Sequence, residues 1–369
     1  MPLVYDGIAL GMWAYRSAAF RVTTLGSENV RFEPGTLLFA THRRETDVPV
    51  LCPSIYRATR MWANRDRRLS FSAREDMFVP GFLGGLPDLP RAARRVLFRV
   101  HLGPIMEERL LVFPLRSATE ARLSEVLRAG GEAPLVELLP DELVGALHAR
   151  ARTAGLPQPG SACDAVRAEY GNLLWRAVTQ AEAPGLETFW RARAARATAD
   201  FRRLVELLRG GARLLVFPEG YPSATGEVGP LRRGLGALVR RGDPAAVQPI
   251  ALAYDPLTSG RTRAYVAFGA PEDPPGSGVE EALTARLRRT MPLTVGQLVA
   301  ARGLRGETTT ARDLEEALDE ARADGRPSDP ALADRAERSR RLRDAIAAAE
   351  RADLAYLARE YASARASRG

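Results

Sequence analysis

The 369-residue chain contains no lysine, only two cysteines, few aromatic residues and no long apolar run. Each shortage closes off a class of protein. Cys52 and Cys163 are too few and too far apart for a disulfide framework or a zinc site, and they fit a reducing compartment. No apolar run approaches the ~20 residues that span a bilayer, and the first residues lack the basic region, apolar core and small-residue cleavage site of a signal peptide. The expectation is a cytoplasmic protein, soluble or lying on a membrane surface. Aromatics make up 7% of the chain, basic residues are interspersed with acidic ones, and no helix-turn-helix, RNP or zinc pattern occurs, so nucleic acid is not an expected partner. The absence of a Gly-x-Ser-x-Gly elbow argues against a serine hydrolase.

What remains is a globular composition, 46% apolar and 27% charged, with a formal charge of +8 that fits an anionic partner. Because every basic residue is arginine, a single arginine carries weight only through its position.

The pattern predicts an α/β fold with a mixed central sheet flanked by helices, a helical insertion and a helical C-terminal extension. Residues 1–19 read as an amphipathic helix, with Val4, Ile8, Met12 and Tyr15 at helical spacing and Trp13 widening the face. Such a stripe suits core packing or a membrane interface. Residues 20–270 carry the α/β pattern, interrupted at about 117–197 by helices whose apolar residues, among them Val144, Leu147, Tyr170, Trp175 and Trp190, read as the insertion's own core. Residues 271–369 are almost wholly helical, and Leu342, Ile346, Ala349, Ala352 and Tyr356 mark one face of a terminal helix suited to packing or self-association, with Asp353 near it.

Within the α/β part, polar residues collect at the ends of predicted strands. Thr36–Ala40 reads as a buried strand followed by Thr41-His42-Arg43-Arg44-Glu45-Thr46-Asp47. Five positions on a continuous helix would set His42 and Asp47 about 140° apart, so they meet only across a turn. Asp47 stands where an N-cap would, with Pro49 in the first turn of the next helix. One reading makes His42 a general base whose tautomer Asp47 fixes. The other makes Asp47 a helix cap and His42 a polar strand end. Arg109–Arg116 reads as a strand ending in Arg116, a fork of donors suited to phosphate. Leu214–Phe217 is a strand ending in Pro218-Glu219-Gly220, and Val247–Ala253 a strand built around Pro249.

Taken together, these stretches resemble the glycerolipid acyltransferase family, which includes lysophosphatidate and glycerol-3-phosphate acyltransferases. The family has four blocks in fixed order. Its histidine, four residues and aspartate correspond to His42 and Asp47; its strand ending in arginine to Leu111–Arg116; its Phe-Pro-Glu-Gly to Phe217-Pro218-Glu219-Gly220; and its proline-centred strand to Val247–Ala253. The chain departs from the family at Thr41, where Asn is common, at Arg44, where Ser is common, and at Tyr221-Pro222, where Thr-Arg is common.

The resemblance implies O-acyl transfer from acyl-coenzyme A or acyl carrier protein to a glycerol-phosphate acceptor, 1-acylglycerol-3-phosphate first among them. The alternatives are glycerol-3-phosphate or another lysophospholipid as acceptor, or a catalytically inactive lipid-binding scaffold, which the altered Tyr221-Pro222 leaves open. Acceptors of this kind point to phospholipid synthesis on the cytoplasmic face of a membrane. It implies His42 as base, Asp47 as its orienter, Arg116, Glu219 and Gly220 in the acceptor site, and no cofactor or metal. A membrane surface with anionic lipids is the implied docking partner, met by the N-terminal helix and the basic stretch from Arg91 to Arg99. Neither the sequence nor the resemblance fixes the oligomeric state.

Overall fold

The computed structural model describes residues 2–351 except 31–32, 45, 60, 62–67, 86–89, 221–227, 256, 258–260, 305–309, 324 and 326. Tyr221-Pro222 and the positions Ala352, Asp353 and Tyr356 thus lie outside the described residues. The strands, in chain order, are β1 (Phe20–Leu25), β2 (Thr36–Ala40), β3 (Leu69–Arg74), β4 (Val112–Leu115), β5 (Glu120–Arg122), β6 (Ala177–Thr179), β7 (Arg213–Val216), β8 (Ala246–Asp255) and β9 (Thr262–Phe268). The chain forms two compact units, residues 1–70 with 205–369, and residues 71–204.

In the first unit the strand order is β1-β9-β8-β2-β7. The sheet is mixed: β2 runs parallel to both β7 and β8, β1 is parallel to β9, and β8 and β9 are antiparallel. All five residues of β2 are buried, which accounts for its unbroken apolar run, since a strand flanked on both edges and covered on both faces has no solvent side to alternate with.

Strand β8 carries an irregularity at its proline. Its antiparallel register with β9 pairs Ile250 with Phe268, whereas the next bridge joins Val247 to Glu272, so two intervening residues on one side are answered by three on the other. Pro249 borders this bulge: its carbonyl accepts the Gly269 amide at 2.9 Å, but it has no N–H to return to the Gly269 carbonyl. The Gln248 side chain fills the gap by donating to the carbonyls of Asn29 and Gly269, each at 2.9 Å.

The N-terminal helix Pro2–Ala19 packs on the helix Asp47–Ala58, with Tyr5 buried and Tyr56 donating to Asp6 at 3.0 Å. Leu10, Trp13 and Tyr15 remain exposed, Trp13 by 53%. Among the described residues no helix is long and apolar enough to cross a membrane. Toward the C-terminus, helices Val295–Leu304, Ala311–Ala323 and Arg335–Arg351 bury Val295, Val299, Leu314, Leu318 and Leu342, and Ile346 and Ala349 pack on the same cluster. The apolar face of the last helix is thus used within its own unit.

In the second unit β3 and β4 pair in parallel, and β5 and β6 form an antiparallel pair. Its core is built from Leu123, Leu127, Leu143, Leu147, Tyr170 and Trp190, so the apolar residues of the predicted insertion are packing residues. The strand expected over 109–116 is shorter than its apolar run. Gly103-Pro104 opens a helix that continues to Leu110, Leu111 reverses the chain at φ 56°, and only Val112–Leu115 is extended. A buried ionic network also forms here. Arg193 pairs with Glu75 and lies 3.4 Å from Glu125. Burial pushes the Glu75 carboxyl up to about 7, against the opposing pull of Arg193.

Candidate active site

The site in the first unit begins one residue beyond β2. The Thr41 amide donates to the Ile250 carbonyl at 3.0 Å, and the Thr41 hydroxyl accepts the Leu252 amide at 2.8 Å. The pairing with β8 is thereby carried past the end of the strand by a side chain. His42 is the first residue free to leave the sheet, at its carboxyl edge, where ligands of α/β proteins gather.

Asp47 is not the cap that its position in the sequence indicates. Thr46 occupies the N-cap position and Asp47 the first helical turn. Its fully buried carboxylate folds back over the turn, and Oδ2 accepts the amides of Arg43 and Arg44 at 2.5 and 3.0 Å and His42 Nδ1 at 2.8 Å. Oδ1 accepts the Tyr254 hydroxyl at 2.7 Å. The carboxylate therefore does both jobs the sequence offered as alternatives: it satisfies backbone donors at the helix entrance and holds the imidazole. An ionised carboxylate only accepts, so Nδ1 carries the proton and Nε2 the basic lone pair.

The Phe-Pro-Glu-Gly block follows β7 directly. The Phe217 ring packs against the His42 ring with centroids 4.9 Å apart, fixing the imidazole from the side. Glu219 Oε1 accepts the His42 amide at 3.0 Å, its Oε2 accepts the Gly229 amide at 2.9 Å, and Arg43 Nη1 stands 3.8 Å from Oε2. This buried carboxylate holds the backbone on which His42 is mounted. Gly220 adopts φ 76°, a conformation that favours glycine, and a Cβ there would stand 2.1 Å from Arg232 Nε and displace that side chain. Its amide donates to the Phe217 carbonyl at 3.2 Å and closes the turn.

Of the residues selected from sequence, His42, Asp47, Glu219 and Gly220 belong to one continuous arrangement in the first unit. Arg116 lies in the second unit, immediately after β4, where its Nη1 donates to both oxygens of Asp200 at 2.8 Å. Burial raises the Asp200 pKa, and the Arg116 charge opposes the rise.

Tyr254 is the residue that sequence reasoning missed. It stands on β8 in phase with Ile250 and Leu252, so extending the proline-centred block by one residue on the same face would have reached it. Its hydroxyl pKa is raised by burial first and by the neighbouring Asp47 charge second, which keeps it a donor. The Arg44 guanidinium lies over its ring at 4.6 Å. Among the described residues no group of three or more His, Cys, Asp or Glu side chains is placed to hold a metal.

Residues 172–253 match the family model described as Acyltransferase. The matched stretch contains both the Phe217-Pro218-Glu219-Gly220 turn and the Pro249 strand, and it bears out the family resemblance carried by the four blocks, that of the glycerolipid acyltransferases. His42 and Asp47 precede the matched residues; the His42 amide is bonded to Glu219 within them, and Asp47 to Tyr254, one residue beyond their end. Among solved structures, the chain is similar to the 1-acyl-sn-glycerophosphate (LPA) acyltransferase PlsC from Thermotoga maritima, with 15% identity, 83% of this chain and 82% of that chain covered, and a TM-score of 0.39. No curated protein sequence matches the chain.

Proposed function

We propose that the chain is an O-acyltransferase that moves a fatty acyl group from a thioester, on coenzyme A or acyl carrier protein, to a hydroxyl of a glycerol-phosphate acceptor, 1-acylglycerol-3-phosphate first among them, in phospholipid synthesis. The observation that carries this reading is the 2.8 Å contact from His42 Nδ1 to a buried Asp47, with Nε2 left as the base.

A thioester is already activated, so the reaction needs little more than a positioned base. His42 Nε2 takes the proton of the acceptor hydroxyl as its oxygen bonds to the thioester carbon. Asp47 stabilises the imidazolium, the carbon–sulfur bond breaks, and the imidazolium returns the proton to the departing thiolate. Glu219 and Phe217 act through the placement of His42, by its amide and its ring face. Arg116 is the proposed clamp on the acceptor phosphate and would exchange Asp200 for it; the resemblance supports this role together with the arginine's place after β4. The exposed Leu10, Trp13 and Tyr15 of the N-terminal helix suit docking to an anionic membrane surface.

The test is release of free thiol from acyl-coenzyme A and from acyl-acyl carrier protein, each with lysophosphatidate, glycerol-3-phosphate or no acceptor. Acceptor-dependent release that falls by about 100- to 10,000-fold in His42→Ala, with an unchanged melting midpoint, is the expected result. Release that needs no acceptor would identify a thioesterase instead.

A further inference from the structure

Within the second unit, three arginines surround one cavity. Arg94 and Arg95 come from the helix Arg91–Leu97 and Arg150 from the helix Asp141–Ala154, with Thr153, Ala168 and Glu169 completing the wall. The cavity measures about 210 Å³, room for roughly seven waters at about 30 Å³ each.

Its donors outnumber its acceptors. Glu169 is the lone carboxylate of the lining and is engaged by Arg95 at 2.9 Å, while Arg150 Nε donates to the Glu169 carbonyl at 3.3 Å. Arg94 Nε is buried and has no hydrogen-bond partner among the described residues. The Arg94 and Arg150 guanidinium groups also come together beside Gly171. A Cβ built on Gly171 would stand 3.6 Å from Arg150 Nη2 and 3.9 Å from Arg94 Nη1. Two guanidinium forks that line one cavity and converge beside Gly171, one of them with an unmet buried donor, suit a tetrahedral oxyanion better than a carboxylate, which one fork satisfies.

We propose that this cavity is a phosphate site that takes a phosphate or diphosphate group. The assignment is independent of the acyl-transfer reading, because it is tested by binding alone. Pyrophosphate is titrated calorimetrically into the full chain at moderate salt. Saturable one-site binding is expected, weakened roughly tenfold or more in Arg94→Ala and in Arg150→Ala, since each removes a charge-assisted hydrogen bond. Ala154→Phe, which fills the cavity without changing any charge, should abolish it. Arg152→Ala, an exposed arginine of the same helix outside the lining, should bind like the wild type, which separates a site from general basicity.

Competition then distinguishes the source of the phosphate. Displacement of pyrophosphate by coenzyme A assigns the site to a soluble nucleotide carrier. Displacement by phosphatidate vesicles and not by coenzyme A assigns it to a lipid headgroup. Absence of saturable binding to the wild type, or equal binding by all four variants, overturns the proposal.

Discussion

Tyr254→Phe is the sharpest probe of the site, because it deletes one oxygen and leaves the ring in place. The ring keeps its neighbours, Phe20 at 5.9 Å between centroids and the Arg44 guanidinium at 4.6 Å, so little packing is lost. What disappears is a 2.7 Å hydrogen bond to a carboxylate with no exposure to water. A hydrogen bond to a charged group contributes about 1.5–3 kcal/mol, and a buried oxygen left without its donor loses most of that. Urea unfolding should therefore show a stability loss of about 1.5–3 kcal/mol at an unchanged m-value. The same substitution in an Asp47→Ala background should cost almost nothing, giving a coupling of at least about 1 kcal/mol in the double-mutant cycle. A loss below about 0.5 kcal/mol, or an equal loss in both backgrounds, would refute the view that Tyr254 acts through Asp47.

The remaining predictions concern the other elements of the proposal. Arg116→Ala should raise KM for the phosphorylated acceptor while leaving kcat nearly unchanged, because a clamp serves ground and transition states alike; steady-state kinetics with varied acceptor decides, and an unchanged KM removes Arg116 from the acceptor site. A chain lacking residues 1–18 should no longer sediment with anionic vesicles, and continued sedimentation would move the docking surface elsewhere. Glu75, pushed up to about 7 by burial, binds its proton more tightly in the native than in the unfolded state. Its stabilising contribution is present below the ordinary glutamate range and is lost as pH rises toward 7, by up to about 1.4 kcal/mol per pH unit. In Glu75→Gln that part of the slope, read from unfolding free energies between pH 5 and 7, should vanish.

Much of the site was legible because local rules governed it. The apolar run before His42, the strand before Phe217 and the helix after the turn all follow from period and flanking residues, and the angular argument that His42 and Asp47 meet only across a turn describes what the chain does. The failures arise where a distant partner sets the outcome. Tyr254 donates to a residue 207 positions earlier, and the Glu219 carboxylate receives an amide 177 positions earlier; no window of sequence contains either pair. Asp47 was misplaced by one residue for a related reason. Its carboxylate is drawn back by three donors of the preceding turn and one from β8, so the helix starts around it instead of being capped by it. Over 109–116 the apolar run suited strand and helix equally, and Leu111 in a left-handed conformation settled the division.

The bulge at Pro249 has a consequence for how reliably the sheet assembles. Strands β8 and β9 are rich in small and aliphatic residues, and many shifted pairings of two such strands would bury nearly equal surface. A shift by one residue would turn every side chain of β9 to the opposite face. Only one alignment places the extra residue opposite Gln248, beside Pro249, and brings the Gln248 amide to the carbonyls of Asn29 and Gly269 at once. The proline and its glutamine neighbour thus work as an alignment key. Since β8 also delivers Tyr254 to Asp47, the accuracy of strand pairing during folding fixes which residue completes the histidine's support.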